Sequence, residues 1–307
     1  MTACIGAICR IPNLGLGIVS CSDTRSVVPG FSSSDRTWKR ETLGYRTFGL
    51  VSGQLSCGRE LASMYREYLA RVSYSELAEE TVLDHFREPP RRLKHKLVEE
   101  YFRLKWAISY EEFLAGKLNS LRESELLRIC SDVNNIVFPD GTAVVIGSLM
   151  NQSPLLFTVY PDGQVSQDEN FAVVGSGYAI ARATLCHRQY HKYFPLGAAL
   201  YAVYEAKKLS EGDPNVGPDT AMWIDYLDGN RQPVFLPVSE EDLEFLASQF
   251  QIFGPKPIGI LDLPPSITTN LSTNNDITVT IGDNVKSDEQ KALSESAASG
   301  GGEGPKE

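Results

Sequence analysis

The residue that could carry out chemistry most directly is Thr2, which follows Met1 at the start of the chain. A small second residue allows an initiator methionine to be trimmed, which would leave a threonine with both a hydroxyl group and a free α-amine. Such an amine has an unperturbed pKa of roughly 7.7 to 8.0, so it can accept the hydroxyl proton near neutral pH. Nucleophile and base would then lie in one residue. This chemistry requires the removal of Met1.

Several short motifs follow Thr2 in a defined order. They are Asp23-Thr24-Arg25 after the second predicted strand, Lys39 at the start of another strand, Ser52-Gly53 at a strand-to-helix junction, Gly175-Ser176-Gly177, and Asp213 in a loop. In order and spacing they resemble the motifs of proteasome β-type subunits and their bacterial relatives among the N-terminal nucleophile hydrolases. One such motif is a weak signal, whereas all of them in order form a strong one. The resemblance covers roughly residues 2–228, interrupted by a helical block.

The resemblance implies a role for each of these residues in a threonine protease mechanism. Lys39, held by Asp23, would place a cation beside the amine and favour its neutral form and the ionised hydroxyl. The backbone N–H of Gly53 would bind the oxyanion of the tetrahedral intermediate. Ser176 and Asp213 would orient the amine and relay protons. The predicted catalytic set is therefore Thr2, Asp23, Lys39, Gly53, Ser176 and Asp213.

One departure from the family pattern keeps alternatives open. Relatives usually have a serine three residues after the loop aspartate, and this chain has Val216, whose side chain cannot hydrogen-bond to the amine. A catalytically inactive proteasome-like scaffold or interaction subunit is therefore the alternative to a peptidase. Amidase activity on small substrates, and transfer of the acyl group to an amine instead of water, also remain open.

The elements that must position these residues predict an α+β fold. Alternating apolar residues and turn signals indicate a first hairpin over residues 2–21, which returns the chain start to the neighbourhood of Asp23. The full pattern of strands and helices predicts a four-layer αββα sandwich over residues 1–264. Residues 73–135 form a helical insertion, in which Pro89-Pro90 would break a helix. Residues 265–307, rich in Ser, Gly and acids, are predicted to be a disordered tail.

Composition limits the classes of partner. The net charge of -10, from 29 basic and 39 acidic residues, argues against nucleic-acid binding. The six cysteines and four histidines show no metal-ligand spacing, so neither a metal nor a cofactor is expected. With no leader and no apolar run of about 18 residues, the protein is predicted to be cytoplasmic and not bound to membranes. The expected partners are a peptide or other amide substrate and further copies of the chain, since the resemblance implies a ring-shaped homo-oligomer.

Overall fold

The computed structural model describes residues 2–24, 39–72, 81–150, 153–254 and residue 267. Met1, Arg25, residues 73–80 of the predicted insertion and, apart from Ile267, the predicted tail 265–307 lie outside the described residues. The predicted domain boundaries therefore stay predictions.

The described chain alternates strands and helices. Its strands are β1 (Ala3–Ile11), β2 (Gly15–Asp23), β3 (Arg40–Gly44), β4 (Thr47–Ser52), β5 (Ala143–Leu149), β6 (Pro154–Val159), β7 (Val165–Asp168), β8 (Phe171–Gly175), β9 (Thr220–Leu227) and β10 (Pro233–Pro237). Its helices are α1 (Leu55–Leu69), α2 (Val82–Trp106), α3 (Tyr110–Leu114), α4 (Glu123–Asn134), α5 (Tyr178–His187), α6 (Leu196–Ser210) and α7 (Glu240–Phe253), with a 3₁₀ turn at Pro139–Gly141.

The strands form two five-stranded antiparallel sheets, in the orders β10-β9-β2-β1-β8 and β3-β4-β5-β6-β7. The predicted α+β class is confirmed. Within β1, residues alternate between two environments: Cys4 and Ile8 pack with Phe48 of β4 between the sheets, whereas Ile5 and Ala7 pack on the side of α6. Both faces of β1 are thus buried, which explains its nearly continuous apolar sequence.

The first hairpin is confirmed, and it fixes the position of the chain start. β1 pairs antiparallel with β2, with Cys4 opposite Ser22. Asn13 (φ +61°) and Gly15 (φ +94°) adopt left-handed backbone conformations in the turn, which asparagine and glycine tolerate best. This register carries Thr2 to the end of β2, where Asp23 lies.

The helical block differs from the prediction at one point. α2 continues through Pro89 and Pro90, so the predicted break there is wrong. A proline inside a helix cannot bond to the carbonyl four residues earlier, which for Pro90 is the carbonyl of Phe86. The Tyr65 hydroxyl of α1 donates to this carbonyl at 2.6 Å instead. A tertiary hydrogen bond thus replaces the lost helical one.

The remainder of the block has a small core of its own. Phe102 of α2 packs there with Ile129 of α4, apart from the clusters that line the sheets. The capping box expected at Ser109 and Glu112 is present at the start of α3. In the described part of the chain, no helix is both long enough and apolar enough to cross a membrane.

Candidate active site

Three of the predicted residues meet at one end of the two sheets. Thr2 directly precedes β1, Asp23 ends β2, and Lys39 directly precedes β3 in the other sheet. The Thr2 hydroxyl donates to Asp23 Oδ1 and accepts a hydrogen bond from Lys39 Nζ. Lys39 Nζ also lies 2.9 Å from Asp23 Oδ1. The exposed fractions of the three residues are 1%, 0% and 7%, so the cluster is shielded from water and its charges interact strongly.

The Asp23 carboxylate has further donors that fix its orientation. The Ala3 N–H donates to Oδ1 at 3.1 Å, and the Gly217 N–H donates to Oδ2 at 3.2 Å. These two backbone hydrogen bonds hold both carboxylate oxygens in place. Asp23 is therefore held by the start of β1, by Lys39 and by the loop after α6.

Ser176 lies beside Thr2, in the turn after β8. The Ser176 hydroxyl donates to the Thr2 carbonyl oxygen at 3.4 Å, and the Gly177 N–H donates to the same oxygen at 3.3 Å. Gly175 has a φ of +105°, and a methyl group there would lie 2.8 Å from the Thr2 carbonyl carbon. The glycine is therefore required for the turn to approach the chain start.

Gly53 occupies the predicted junction between β4 and α1. Its φ is +91°, and a methyl group on it would come within 2.6 Å of the Thr142 Cα atom. The next N–H, of Gln54, donates to the Thr142 hydroxyl at 3.0 Å. Gly53 is exposed and directly precedes the positive end of α1, a setting that suits an anion. Its role as oxyanion donor stays a prediction.

Asp213 is placed differently from the other predicted residues. Its carboxylate accepts hydrogen bonds from the Asn215 backbone N–H at 2.8 Å and from Asn215 Nδ2 at 2.9 Å. Among the described residues, no hydrogen bond joins Asp213 to Thr2 or Ser176. Asp213 therefore stabilises its own loop, as aspartates commonly do two residues before a turn amide.

Val216 fills the space where a polar side chain would be expected. It is buried, and its Cγ2 atom lies 2.9 Å from the position that a methyl group on Gly177 would take. The residue packs the loop after α6 against the turn that holds Thr2. This placement puts the next backbone N–H, that of Gly217, on Asp23.

A thiol also lies close to the cluster. The Cys4 Sγ atom donates to the Val51 carbonyl at 3.5 Å. Complete burial raises the pKa of Cys4 strongly, and the nearby charge of Lys39 opposes this only in part. A protonated thiol is a poor nucleophile, so Thr2 is the better candidate.

Two contributors were not found by sequence reasoning. One is the Gly217 N–H, which leaves no signature because every residue except proline carries this group. The other is Lys207 of α6, which reaches the same loop. The sequence signal available for it was a lysine on the apolar face of a helix, four residues after Val203. Within the described ranges, no group of three or more His, Cys, Asp and Glu residues could hold a metal ion.

No protein-family model matches the chain, and a search of curated proteins gives no match either. The family resemblance therefore rests on the motifs and their spacing.

Proposed function

We propose that the protein is an N-terminal threonine hydrolase that cleaves amide bonds, with peptides as the favoured substrates. The observation that carries this proposal is the contact of the Thr2 hydroxyl with both Lys39 Nζ and Asp23 Oδ1 in a buried cluster. The three residues lie at the ends of three different strands, two in one sheet and one in the other. Most ion pairs in proteins are exposed at the surface. This ion pair is buried instead, and it bonds to the hydroxyl of the residue next to the chain start.

The proposed reaction begins when Met1 is removed and the Thr2 α-amine becomes free. The amine takes the hydroxyl proton, and Thr2 Oγ1 attacks the carbonyl carbon of the substrate. The Lys39 ammonium stabilises the developing alkoxide, and the Gly53 N–H stabilises the oxyanion. Collapse of the tetrahedral intermediate breaks the C–N bond, transfers the proton to the leaving amine, and leaves an ester on Thr2. Water then cleaves the ester and regenerates the hydroxyl.

The arrangement of the sheets supports this proposal. One cluster of apolar side chains lies between the sheets, and separate clusters join each sheet to its helices, α5, α6 and α7 on one side and α1 and α2 on the other. This is what a four-layer αββα sandwich of the N-terminal nucleophile type requires. A homo-oligomeric ring and a cytoplasmic location belong to the same proposal.

A specific observation favours the alternative of an inactive scaffold. The carboxylate of Asp213 bonds within its own loop, and Val216 offers no polar atom from its side chain. The α-amine would then lack two of the groups that relatives use to orient it. The scaffold alternative therefore predicts an intact fold with an unreactive Thr2.

Intact mass and covalent labelling distinguish these two functions. We expect the purified chain to lack Met1 and to react once with a peptide epoxyketone, which requires both a hydroxyl and an α-amine on the same residue. Thr2→Ser should retain labelling, and Thr2→Ala should lose it. Thr184→Ala serves as the matched control, because Thr184 is a partly buried threonine on α5 that bonds only within its own helix in the described structure. Retained Met1, or equal labelling of Thr2→Ala, would refute the proposal.

The class of amide is tested separately. Turnover of a peptide library with little turnover of small acyl amides supports a peptidase, whereas the reverse result identifies an amidase. Adding an amine nucleophile to the same assay shows whether the ester is resolved by transfer instead of hydrolysis.

A further inference from the structure

A completely buried lysine lies in α6 and is not one of the predicted catalytic residues. Lys207 has an exposed fraction of 0%. Its ammonium group donates to Glu211 Oε1 at 2.5 Å, to the Gly217 carbonyl at 2.9 Å and to the Pro218 carbonyl at 2.9 Å. An ammonium group has three donor hydrogens, and these acceptors use all of them.

The segment that Lys207 holds is the one that reaches the candidate site. The carbonyl of Gly217 accepts from Lys207, and the N–H of the same residue donates to Asp23 Oδ2. A single peptide segment thus links the buried ammonium to the carboxylate that contacts Thr2 and Lys39. If the segment moved, Asp23 Oδ2 would lose this donor inside a region that excludes water.

Burying the charged ammonium group of a lysine costs free energy unless hydrogen bonds or an opposite charge compensate for the lost hydration. Burial lowers the pKa of Lys207, and Glu211 opposes this shift. A methionine at this position would pack the helix without that cost. The neighbouring Lys208, which is more exposed, already donates to Pro218 and pairs with Glu211. The contact that Lys207 adds is therefore the one to Gly217.

We propose that Lys207 is a positioning residue for the nucleophile, because it fixes Gly217 so that its N–H holds Asp23 in register with Thr2 and Lys39. This inference rests on the proposed function, since it assigns Lys207 an effect on the reactivity of Thr2. It predicts that replacing Lys207 slows the chemical step and leaves substrate affinity largely unchanged.

The test compares Lys207→Met with Lys208→Met. Lys208→Met loses the contacts to Pro218 and Glu211 but leaves Gly217 held, so it is the matched control. Three quantities are measured for each folded variant: the rate constant of inactivation by a peptide epoxyketone, the affinity constant for the same compound, and the rate of hydrogen exchange of the Gly217 amide. We expect Lys207→Met to lower the inactivation rate constant by about tenfold, with little change in affinity, and to speed the exchange of Gly217. Lys208→Met should resemble the wild type in all three quantities.

The outcomes separate this inference from the proposed function. Slowed inactivation with faster Gly217 exchange supports the positioning role, and wild-type values for both refute it. Slowed inactivation with unchanged exchange also refutes it, because the effect would then travel by another route. If the wild type is not labelled at all, the proposed function fails. Unchanged hydrogen exchange of the Gly217 amide in Lys207→Met would separately refute the link from Lys207 to Asp23.

Glu211→Gln covers the case in which Lys207→Met does not fold. The charged or titratable groups around Lys207 are Cys21 of β2, Lys208 and Glu211, and Glu211 is the carboxylate that favours the ammonium form. Without it Lys207 should lose its proton at a lower pH. The inactivation rate of Glu211→Gln is therefore expected to decline at a lower alkaline pH than that of the wild type, and superimposable pH profiles would contradict the proposal.

Discussion

Arg40 ties the two sheets together next to the candidate site, and its replacement tests this part of the structure most sharply. It begins β3, directly after Lys39, and its guanidinium group donates to both carboxylate oxygens of Asp225 in β9, at 2.6 and 3.0 Å. It also donates to the Ser20 hydroxyl at 3.0 Å and lies 4.2 Å from the centre of the Phe48 ring. Asp225 is completely buried. The pair therefore fixes the strand that carries Lys39 onto the other sheet.

Arg40→Met should destabilise the protein by about 3 to 5 kcal/mol, because it leaves the Asp225 carboxylate buried without its cation. Arg40→Met/Asp225→Asn should recover much of this loss, since no buried charge remains. Urea unfolding followed by far-UV circular dichroism gives these free energies. The control is Arg71→Met, which removes an exposed pair with Glu67 and should cost less than about 0.5 kcal/mol.

The same variant should show a defined pH dependence. Burial raises the pKa of Asp225 above its ordinary value of 3.8, and Arg40 opposes this shift, so removing Arg40 should raise the pKa further. Between the unfolded and folded pKa values the native state then binds more protons than the unfolded state, so stability falls as pH rises through that window. The deficit of Arg40→Met relative to the wild type should be larger near pH 7 than near pH 5. A deficit under about 1 kcal/mol, or one equal at both pH values, would refute this account of the pair.

Three further predictions follow from local features of the structure. Gly53→Ala should lower the free energy of unfolding by at least about 1 to 2 kcal/mol and slow the labelling of Thr2. The φ of Gly53 is positive, and Thr142 leaves no space for a methyl group there. Melting and labelling equal to those of the wild type would contradict this. Tyr65→Phe should cost about 1 to 3 kcal/mol in urea unfolding, since the Phe86 carbonyl loses its donor inside α2, and a loss under about 0.5 kcal/mol would contradict it. A thiol reagent should modify two cysteines rapidly in the native protein and the other four only after unfolding, the fast pair being Cys130 and Cys186 and the slow group Cys4, Cys9, Cys21 and Cys57.

The features that could be predicted from sequence are those that depend on neighbouring residues. The first hairpin follows from alternating apolar residues around a turn, and it alone brings Thr2 to Asp23. The capping box at Ser109 likewise follows from residue types three positions apart. The motif spacing selected Lys39 because the resemblance supplied long-range information that local patterns do not contain.

Two features were not predicted, one that involves a partner distant in sequence and one that is a local hydrogen bond inside a loop. The sequence at Pro89 and Pro90 predicts a helix break, whereas α2 continues and a hydroxyl from another helix donates to the Phe86 carbonyl. Asp213 was assigned to the site by the resemblance and its motif spacing, and this role stays a prediction; its carboxylate accepts hydrogen bonds from Asn215, which the spacing did not predict. Local hydrogen bonds need little loop ordering, so a flexible polar loop tends to satisfy its own side chains first.

If Thr2 is the nucleophile, as we propose, the loop after α6 offers an account of how the site functions with Val216. A serine at this position would offer a hydroxyl, whereas the valine is buried against the turn at Gly177 and leaves the adjacent Gly217 N–H directed at Asp23. The backbone of the loop thus orients the Asp23 carboxylate, and Lys207 donates a hydrogen bond to the Gly217 carbonyl of that backbone. The position of a backbone donor depends on the side chains that pack around its loop. The reactivity of Thr2 should therefore depend on buried residues of α6 and its loop that never touch a substrate.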